Sequence, residues 1–212
     1  MNTAMPIPFV EKLAPARHGD GRPDFRKLLG DAAWNRLPAA VRARFDVDAH
    51  RTVVIYRGET LVKASRCGRC FAQLCRLIGT PVAPFVGERV PMLVRVFGGP
   101  NGVMWERRYA FADRAPVVVR STKQMDEGAL VEGLNAGLHM RLRVYEECGQ
   151  LHFLSAGYYF RAGPLRFNLP QWFLPGVTHV VHEDLGAGNF RFTMRTEHRW
   201  FGEMFFQDGV FN

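Results

Sequence analysis

One strand-like segment sets a cation among aromatic side chains. In WERRYAF, residues 105–111, the alternation of a β-strand places Arg107 on one face with Trp105 and Tyr109. Because burying an unpaired charge costs several kcal/mol, such an arginine pairs with another side chain or lines a hollow that holds a polar group. If the arginine lines a hollow, the N–H groups of its planar guanidinium can donate hydrogen bonds to a carboxylate or a carbonyl group.

Two further segments interrupt an apolar face with polar side chains. ALVEGL sets Glu132 among leucines, and VTHVVHEDL places His179 and Glu183 on one face with valines. If these strands meet inside one fold, Glu132 is a partner for Arg107 or a general base, and His179 with Glu183 is a proton-transfer pair. The alternative is that Arg107 and Glu132 form one structural ion pair, or that these faces point outward.

Aromatic side chains could complete the walls of such a hollow. Trp105, Tyr109 and Tyr159 supply rings suited to a largely apolar ligand. The segment LPQWFLP, residues 169–175, brackets Trp172 with prolines, which excludes a regular central strand or a long helix. We expect a loop or single turn that covers one end of the fold, as a hydrophobic plug or as a lid over a ligand.

The sequence CGRC, residues 67–70, has the spacing of a redox-active cysteine pair. Such a pair usually begins a helix that follows a strand, where the helix dipole lowers the pKa of the first thiol. Here the apolar spacing predicts that the pair lies inside a helix, so we expect Cys67 and Cys70 to be small buried hydrophobes. Neither the number nor the spacing of cysteine and histidine residues matches a zinc site, and we expect no metal and no cofactor.

The first third of the chain predicts helices around one strand. Residues 1–23 are rich in proline and glycine and predict a flexible leader, followed by a single domain over residues 24–212. Two short helices are expected from Asp24, and VVIYRG, residues 53–58, predicts a strand. Apolar spacing over residues 61–78 predicts an amphipathic helix, which makes two or three helices in all.

Beyond residue 90 the chain changes to apolar, β-branched and aromatic segments separated by short turns such as GGPNG, DEG and GAGN. Short turns join antiparallel neighbours, and a long meander of this kind closes into a barrel or curls strongly. We therefore predict a mainly β fold, an antiparallel β-barrel or strongly curved sheet similar to the calycin or lipocalin type.

Composition and charge exclude several classes of protein. The 212 residues are 47% hydrophobic and 23% charged, as in ordinary globular proteins. The formal charge of +8 comes mostly from scattered arginines, and no nucleic-acid-binding motif accompanies it, so we expect no nucleic acid partner. No apolar run approaches the roughly 20 residues of a membrane span, and no secretory signal begins the chain, so a cytoplasmic location is expected.

One family resembles this chain along most of its length. The shared order is FRKLLGDAAWNRLPAAVRARF, YRG, WERRYAF, ALVEGL, LPQWFLP and a closing aromatic strand with Gly202. It resembles the bacterial family called domain of unknown function 4166, over about residues 25–211. The terminus FGEMFFQDGVFN departs from the more aliphatic, tyrosine-containing end of that family. The resemblance implies no established activity and no catalytic residues, although relatives joined to oxidoreductase-type domains imply small-molecule metabolism.

The sequence is compatible with three functions. The first is binding of a hydrophobic small molecule whose acidic or carbonyl group is recognised by Arg107. The second is a cofactor-independent isomerase or cyclase that uses Glu132 or His179 as a base in the same cavity. The third is an interaction module whose exposed aromatic side chains contact a partner chain. Nothing in the sequence specifies an oligomeric state.

Overall fold

The computed structural model describes residues 21–48, 52–76 and 82–212. Apart from its last three residues, the predicted leader lies outside this part of the chain. Three short helices come first: α1 (Phe25–Leu29), α2 (Asp31–Arg36) and α3 (Ala39–Phe45). The carboxylate of Asp24 caps α1 by accepting from the Lys27 amide, and Gly30, with φ of 78°, separates α1 from α2. The predicted N-terminal helices are confirmed, but there are three where two were expected, because the chain leaves the helical conformation at Leu37 and Pro38 between α2 and α3.

The rest of the described chain consists of eleven strands and one longer helix. The strands are β1 (Val54–Ala64), β2 (Gly87–Gly99), β3 (Gly102–Tyr109), β4 (Val117–Asp126), β5 (Ala129–Gly133), β6 (Leu138–Glu147), β7 (Gln150–Ala162), β8 (Leu165–Asn168), β9 (Val177–Gly186), β10 (Asn189–His198) and β11 (Gly202–Phe211). Helix α4 (Arg66–Cys75) joins β1 to β2. None of the helices in the described residues is both long and apolar enough to cross a membrane.

Ten of the eleven described strands form one closed antiparallel barrel. The order is β6-β5-β4-β3-β2-β1-β11-β10-β9-β7, and β7 pairs back to β6. Strand β8 pairs with β7 and stands outside the ring. Closure satisfies the edges that an open sheet would leave unpaired. The predicted antiparallel barrel with N-terminal helices is confirmed, and it is consistent with a calycin or lipocalin type of architecture.

The boundary between β1 and α4 differs from the prediction. A strand over residues 53–58 and a helix over 61–78 were expected, but β1 continues to Ala64, because its last residues pair with Phe205 and Phe206 of β11. The helix begins after Ser65, whose hydroxyl accepts a hydrogen bond from the Gly68 amide. The predicted end of the helix, at Gly79, lies outside the described residues.

The helices α1, α2 and α3 close one end of the barrel. The ring of Phe45, fully buried, lies 6.0 Å from Trp105, 5.7 Å from Phe153 and 4.9 Å from His182, measured between ring centroids. Phe25 packs edge-on against Phe45 at 5.3 Å. These rings, which we call the Phe45 plug, fill the barrel at this end. Any open space in the interior therefore faces the opposite end.

Candidate functional site

A cavity of about 700 Å³ occupies the barrel interior above the Phe45 plug. Its volume lies within the range usual for pockets that bind small molecules. The walls are mostly apolar inward-facing side chains, among them Met140, Leu142, Phe153, Val180, Phe192 and Met194. Such walls suit the hydrophobic body of a ligand.

The cavity is bordered at its open end by three segments of the chain. These are α4, residues 169–175 and the turn at residues 199–201, which contribute Leu74, Trp172 and Phe201 to the cavity lining. The predicted loop or single turn over residues 169–175 is confirmed, because the structure has one 3-10 turn there, Gln171–Phe173. Whether Trp172 acts as plug or lid stays a prediction.

Three charged side chains meet inside the cavity. The Glu132 carboxylate lies 3.4 Å from Lys123 Nζ and 3.6 Å from Arg107 Nη2. Arg107 Nη1 also donates to the Ser121 hydroxyl at 3.4 Å. The side chains of Arg107, Lys123 and Glu132 are 14%, 7% and 9% exposed, so solvent screens their charges weakly. Two cations therefore share one carboxylate, which leaves an uncompensated positive charge.

The ionisation of this cluster follows from burial and from the neighbouring charges. Burial alone would raise the pKa of Glu132, but Lys123 and Arg107 outweigh it and lower that pKa from 4.5 to about 2. Burial lowers the pKa of Lys123, and Glu132 opposes this shift. Glu132 is therefore ionised at neutral pH.

Aromatic rings and two unpartnered polar atoms surround the cluster. Lys123 Nζ lies 4.9 Å from the ring centroid of Trp105 and 5.4 Å from that of Phe153, within the range of cation–π attraction. Within the described chain, neither Trp105 Nε1 nor His182 Nδ1 has a hydrogen-bond partner. Burial holds the pKa of His182 well below its usual value, so this imidazole is neutral. The barrel interior beside the charged cluster thus contains two buried polar atoms without a partner among the described residues.

Two of the sequence-predicted catalytic residues lie away from the cavity. The lining residues of β9 are Thr178, Val180 and His182, whereas His179 and Glu183 face outward. His179 stacks in an outer cluster of rings, with its Nε2 3.1 Å from His152 Nδ1. The expected convergence is wrong for His179 and Glu183, because strand alternation puts them on the opposite face from the lining residues.

Two of the predicted binding residues also lie outside the cavity lining. Tyr109 is buried, and its hydroxyl donates to Gln207 Oε1 at 3.0 Å. Tyr159 is buried as well, and its hydroxyl donates to the Asp126 carboxylate. Trp105, Arg107, Glu132 and Trp172, by contrast, all line the cavity as expected.

Lys123 and His182 line the cavity but are not among the residues predicted from the sequence. In VVVRSTKQM, alternation places Ser121 and Lys123 on the face of Val119, which is the same interruption of an apolar face that singled out Arg107. In β9 the alternation separates His179 from His182 but does not show which of the two faces inward. The alternation of side chains along β4 is therefore enough to identify Lys123, whereas identifying His182 requires the three-dimensional fold.

The cysteine pair lies at the cavity mouth. Cys67 and Cys70 are exposed and border the cavity, so their expected burial is wrong, while Cys75 is buried. The physical reason is Gly68, which faces β11 so closely that a Cβ atom there would overlap the Met204 carbonyl oxygen. Gly68, Ala72 and Cys75 therefore face the barrel, and Cys67 and Cys70 turn away from it. The pair stands near the start of a helix that follows a strand.

Fold and site together define a closed antiparallel β-barrel with an apolar cavity and a buried ionic cluster. A family model described as Domain of unknown function (DUF4166) matches residues 37–211. The chain belongs to this family, which confirms the resemblance found in the sequence. No curated protein matches the chain.

Proposed function

We propose that the protein binds a hydrophobic small molecule with an acidic or carbonyl group inside the barrel. The observation that carries the proposal is an apolar cavity of about 700 Å³ in which two buried cations share one carboxylate. The apolar body of a ligand matches the walls, and an acidic group would balance the remaining positive charge. Buried charges require such compensation.

Lys123 is the main contact we propose for the polar group of the ligand. The guanidinium of Arg107 already has two partners, Ser121 and Glu132. An ammonium group has three donors, and among the described residues Lys123 has one polar contact, with Glu132. The other donors are free for a ligand oxygen. Arg107 contributes through its charge and by orienting Glu132.

Catalysis receives less support from the geometry than binding does. Glu132 is the predicted base that lines the cavity, and a carboxyl group with a pKa of about 2 is a weak base at neutral pH. His179, the other predicted base, faces away from the cavity. Ligand binding is therefore the function that this site supports best.

Two measurements test the proposal. Native mass spectrometry of freshly purified protein is expected to show a co-purified small molecule. Titration with a fluorescent long-chain carboxylic acid and with the matching alcohol is expected to favour the acid by roughly tenfold or more, since hydrogen bonds to charged groups contribute about 1.5–3 kcal/mol. Lys123→Met should abolish this preference, and it leaves Arg107 and Glu132 as a balanced pair.

A neighbour of the site supplies the matched control. Arg108 follows Arg107 directly on β3, is exposed and points to the other face of the strand. Arg108→Gln should therefore bind the acid as the parent does. The proposal is overturned if neither probe binds, or if acid and alcohol bind equally in the parent and in Lys123→Met.

A further inference from the structure

Large apolar side chains are exposed around the cavity mouth. Five of them, between 56% and 64% exposed, are Leu74, Trp172, Phe173, Trp200 and Phe201. All except Trp200 line the cavity, and Trp200 packs with Phe201 around the ring of His198, which also lines it. A continuous apolar surface of this kind marks an interaction site.

The segments that supply this surface also carry positive charge. The segments that border the mouth, residues 66–76, 169–175 and 199–201, contain four arginines and no aspartate or glutamate. The arginines are Arg66, Arg69, Arg76 and Arg199, and all four are exposed. None of them forms an ion pair with another residue in the described part of the chain.

Two acidic residues near this surface share one arginine, so that one of their two negative charges is compensated. Glu197 and Glu203 flank the turn at residues 199–201, and both pair with Arg195, at 3.7 and 3.3 Å. The guanidinium of Arg199 lies 5.0 Å from the ring centroid of Trp200, so cation and ring are presented together. The mouth thus combines exposed rings with an excess of positive charge, since the four arginines outnumber the one uncompensated carboxylate.

We propose that the cavity mouth docks on an anionic lipid surface and exchanges the ligand there. Tryptophan and phenylalanine with adjacent arginine are the side chains that enter the interfacial region of a bilayer, where rings contact acyl chains and guanidinium groups contact phosphates. The docked position places the mouth against the phase in which a hydrophobic ligand dissolves. The inference rests on the proposed function for its purpose, but docking is measured without any ligand.

Tryptophan fluorescence offers a direct test. Trp172 and Trp200 are exposed at the mouth, whereas Trp34 and Trp105 are buried. Vesicles of phosphatidylcholine with phosphatidylglycerol should bind the protein, and brominated acyl chains in them should quench its fluorescence. Vesicles of phosphatidylcholine alone should bind much more weakly. Equal binding to both vesicle types would overturn the proposal of an anionic surface, and so would the absence of binding to both.

Variants away from the cavity lining locate the docking surface. Neutralising two cations in Arg66→Gln/Arg69→Gln should weaken partitioning to anionic vesicles roughly 30-fold, since each arginine near such a surface contributes about a factor of five. Trp200→Ala should reduce both binding and quenching. The matched controls are Arg143→Gln and Leu185→Ala, which are exposed and lie away from the mouth segments, and they should bind as the parent does.

The outcomes separate docking from ligand binding. Arg66, Arg69 and Trp200 do not line the cavity, so their variants should keep the parent's affinity for the soluble carboxylic acid probe. Loss of vesicle binding with probe binding retained supports the docking surface. Vesicle binding unchanged in these variants overturns it and leaves the cavity proposal intact. Failure of the probe to bind, with vesicle binding intact, overturns the cavity proposal alone. Formation of dimers that these variants abolish would assign the surface to a second copy of the chain and overturn lipid docking.

Discussion

Replacing Glu132 with glutamine removes the carboxylate that Lys123 and Arg107 share. The variant keeps the shape of the side chain but leaves two buried cations close together without compensation. The folded state lowers the pKa of Glu132 from 4.5 to about 2. A shift of this size corresponds to about 3 kcal/mol of folding stability at pH 7. We expect Glu132→Gln to lose an amount of this order, which agrees with the cost of breaking a buried ion pair.

The sign of the pH dependence follows from the direction of the shift. Because the pKa is lowered in the folded state, the stabilisation is complete above the unfolded value of 4.5 and is lost as the pH falls towards about 2. The stability difference between parent and Glu132→Gln should therefore be constant from pH 6 to 8. At pH 3 it should have fallen to about 1 kcal/mol.

Urea unfolding followed by circular dichroism measures these differences. Glu88 is exposed and unpaired among the described residues, so Glu88→Gln serves as the control and should change stability by less than about 0.5 kcal/mol. Lys123→Met in the Glu132→Gln background should restore part of the lost stability, because it removes one of the unbalanced cations. Equal stability of parent and Glu132→Gln at pH 7, or a difference that does not change with pH, would show that the Glu132 carboxylate does not compensate the two buried cations.

Two further predictions concern the mouth and the plug of the barrel. Ellman's reagent at pH 8 should modify the exposed Cys67, Cys70 and Cys148 rapidly, and Cys75 only after unfolding, because burial shields this thiol and raises its pKa to about 11. Rapid modification of four thiols would contradict the packing of α4. Phe45→Ala should lower the free energy of unfolding, measured in urea, by about 3–5 kcal/mol, since it removes the contacts of the plug with the barrel interior and leaves a cavity. A loss below about 1 kcal/mol would show that the plug is not packed as described.

The barrel could be predicted because the sequence patterns that indicate it, strands joined by short turns, are mostly local. Short turns such as GGPNG between β2 and β3 leave an antiparallel neighbour as the natural next strand. Closure depends on distant pairs as well, such as Gly58 of β1 with Phe211 of β11. Those pairs join opposite ends of the chain, so local patterns could indicate a curled sheet or a barrel without deciding between them.

The candidate site was predictable in part for a similar reason. Alternation identifies polar residues that share a face with apolar ones, and it selected Arg107 and Glu132, which line the cavity. On β9 both faces mix polar and apolar side chains, so the same rule selected His179 although His182 faces the cavity. Packing against β7 and the Phe45 plug determines which face of β9 is inward. Neither can be inferred from the sequence of β9 alone.

The start of α4 shows how one small residue overrides an apolar stripe. Spacing put Cys67, Cys70 and Leu74 on the face expected to be buried. Instead, Gly68, Ala72 and Cys75 face the barrel, because close approach to the Met204 carbonyl leaves no room for a side chain at Gly68. A hydrophobic pattern is dominated by the larger residues, whereas the close approach of two backbones leaves room for the smallest residues only.

Because helices close one end of the barrel, a guest enters and leaves the cavity at the opposite end. Since Phe45 fills that end, a guest that reaches the ionic cluster must arrive polar end first and leave tail first. Its tail then stays nearest the entrance throughout its stay. For a series of guests with one head group, chain length would therefore govern how readily each is drawn out, independently of how firmly the head is held.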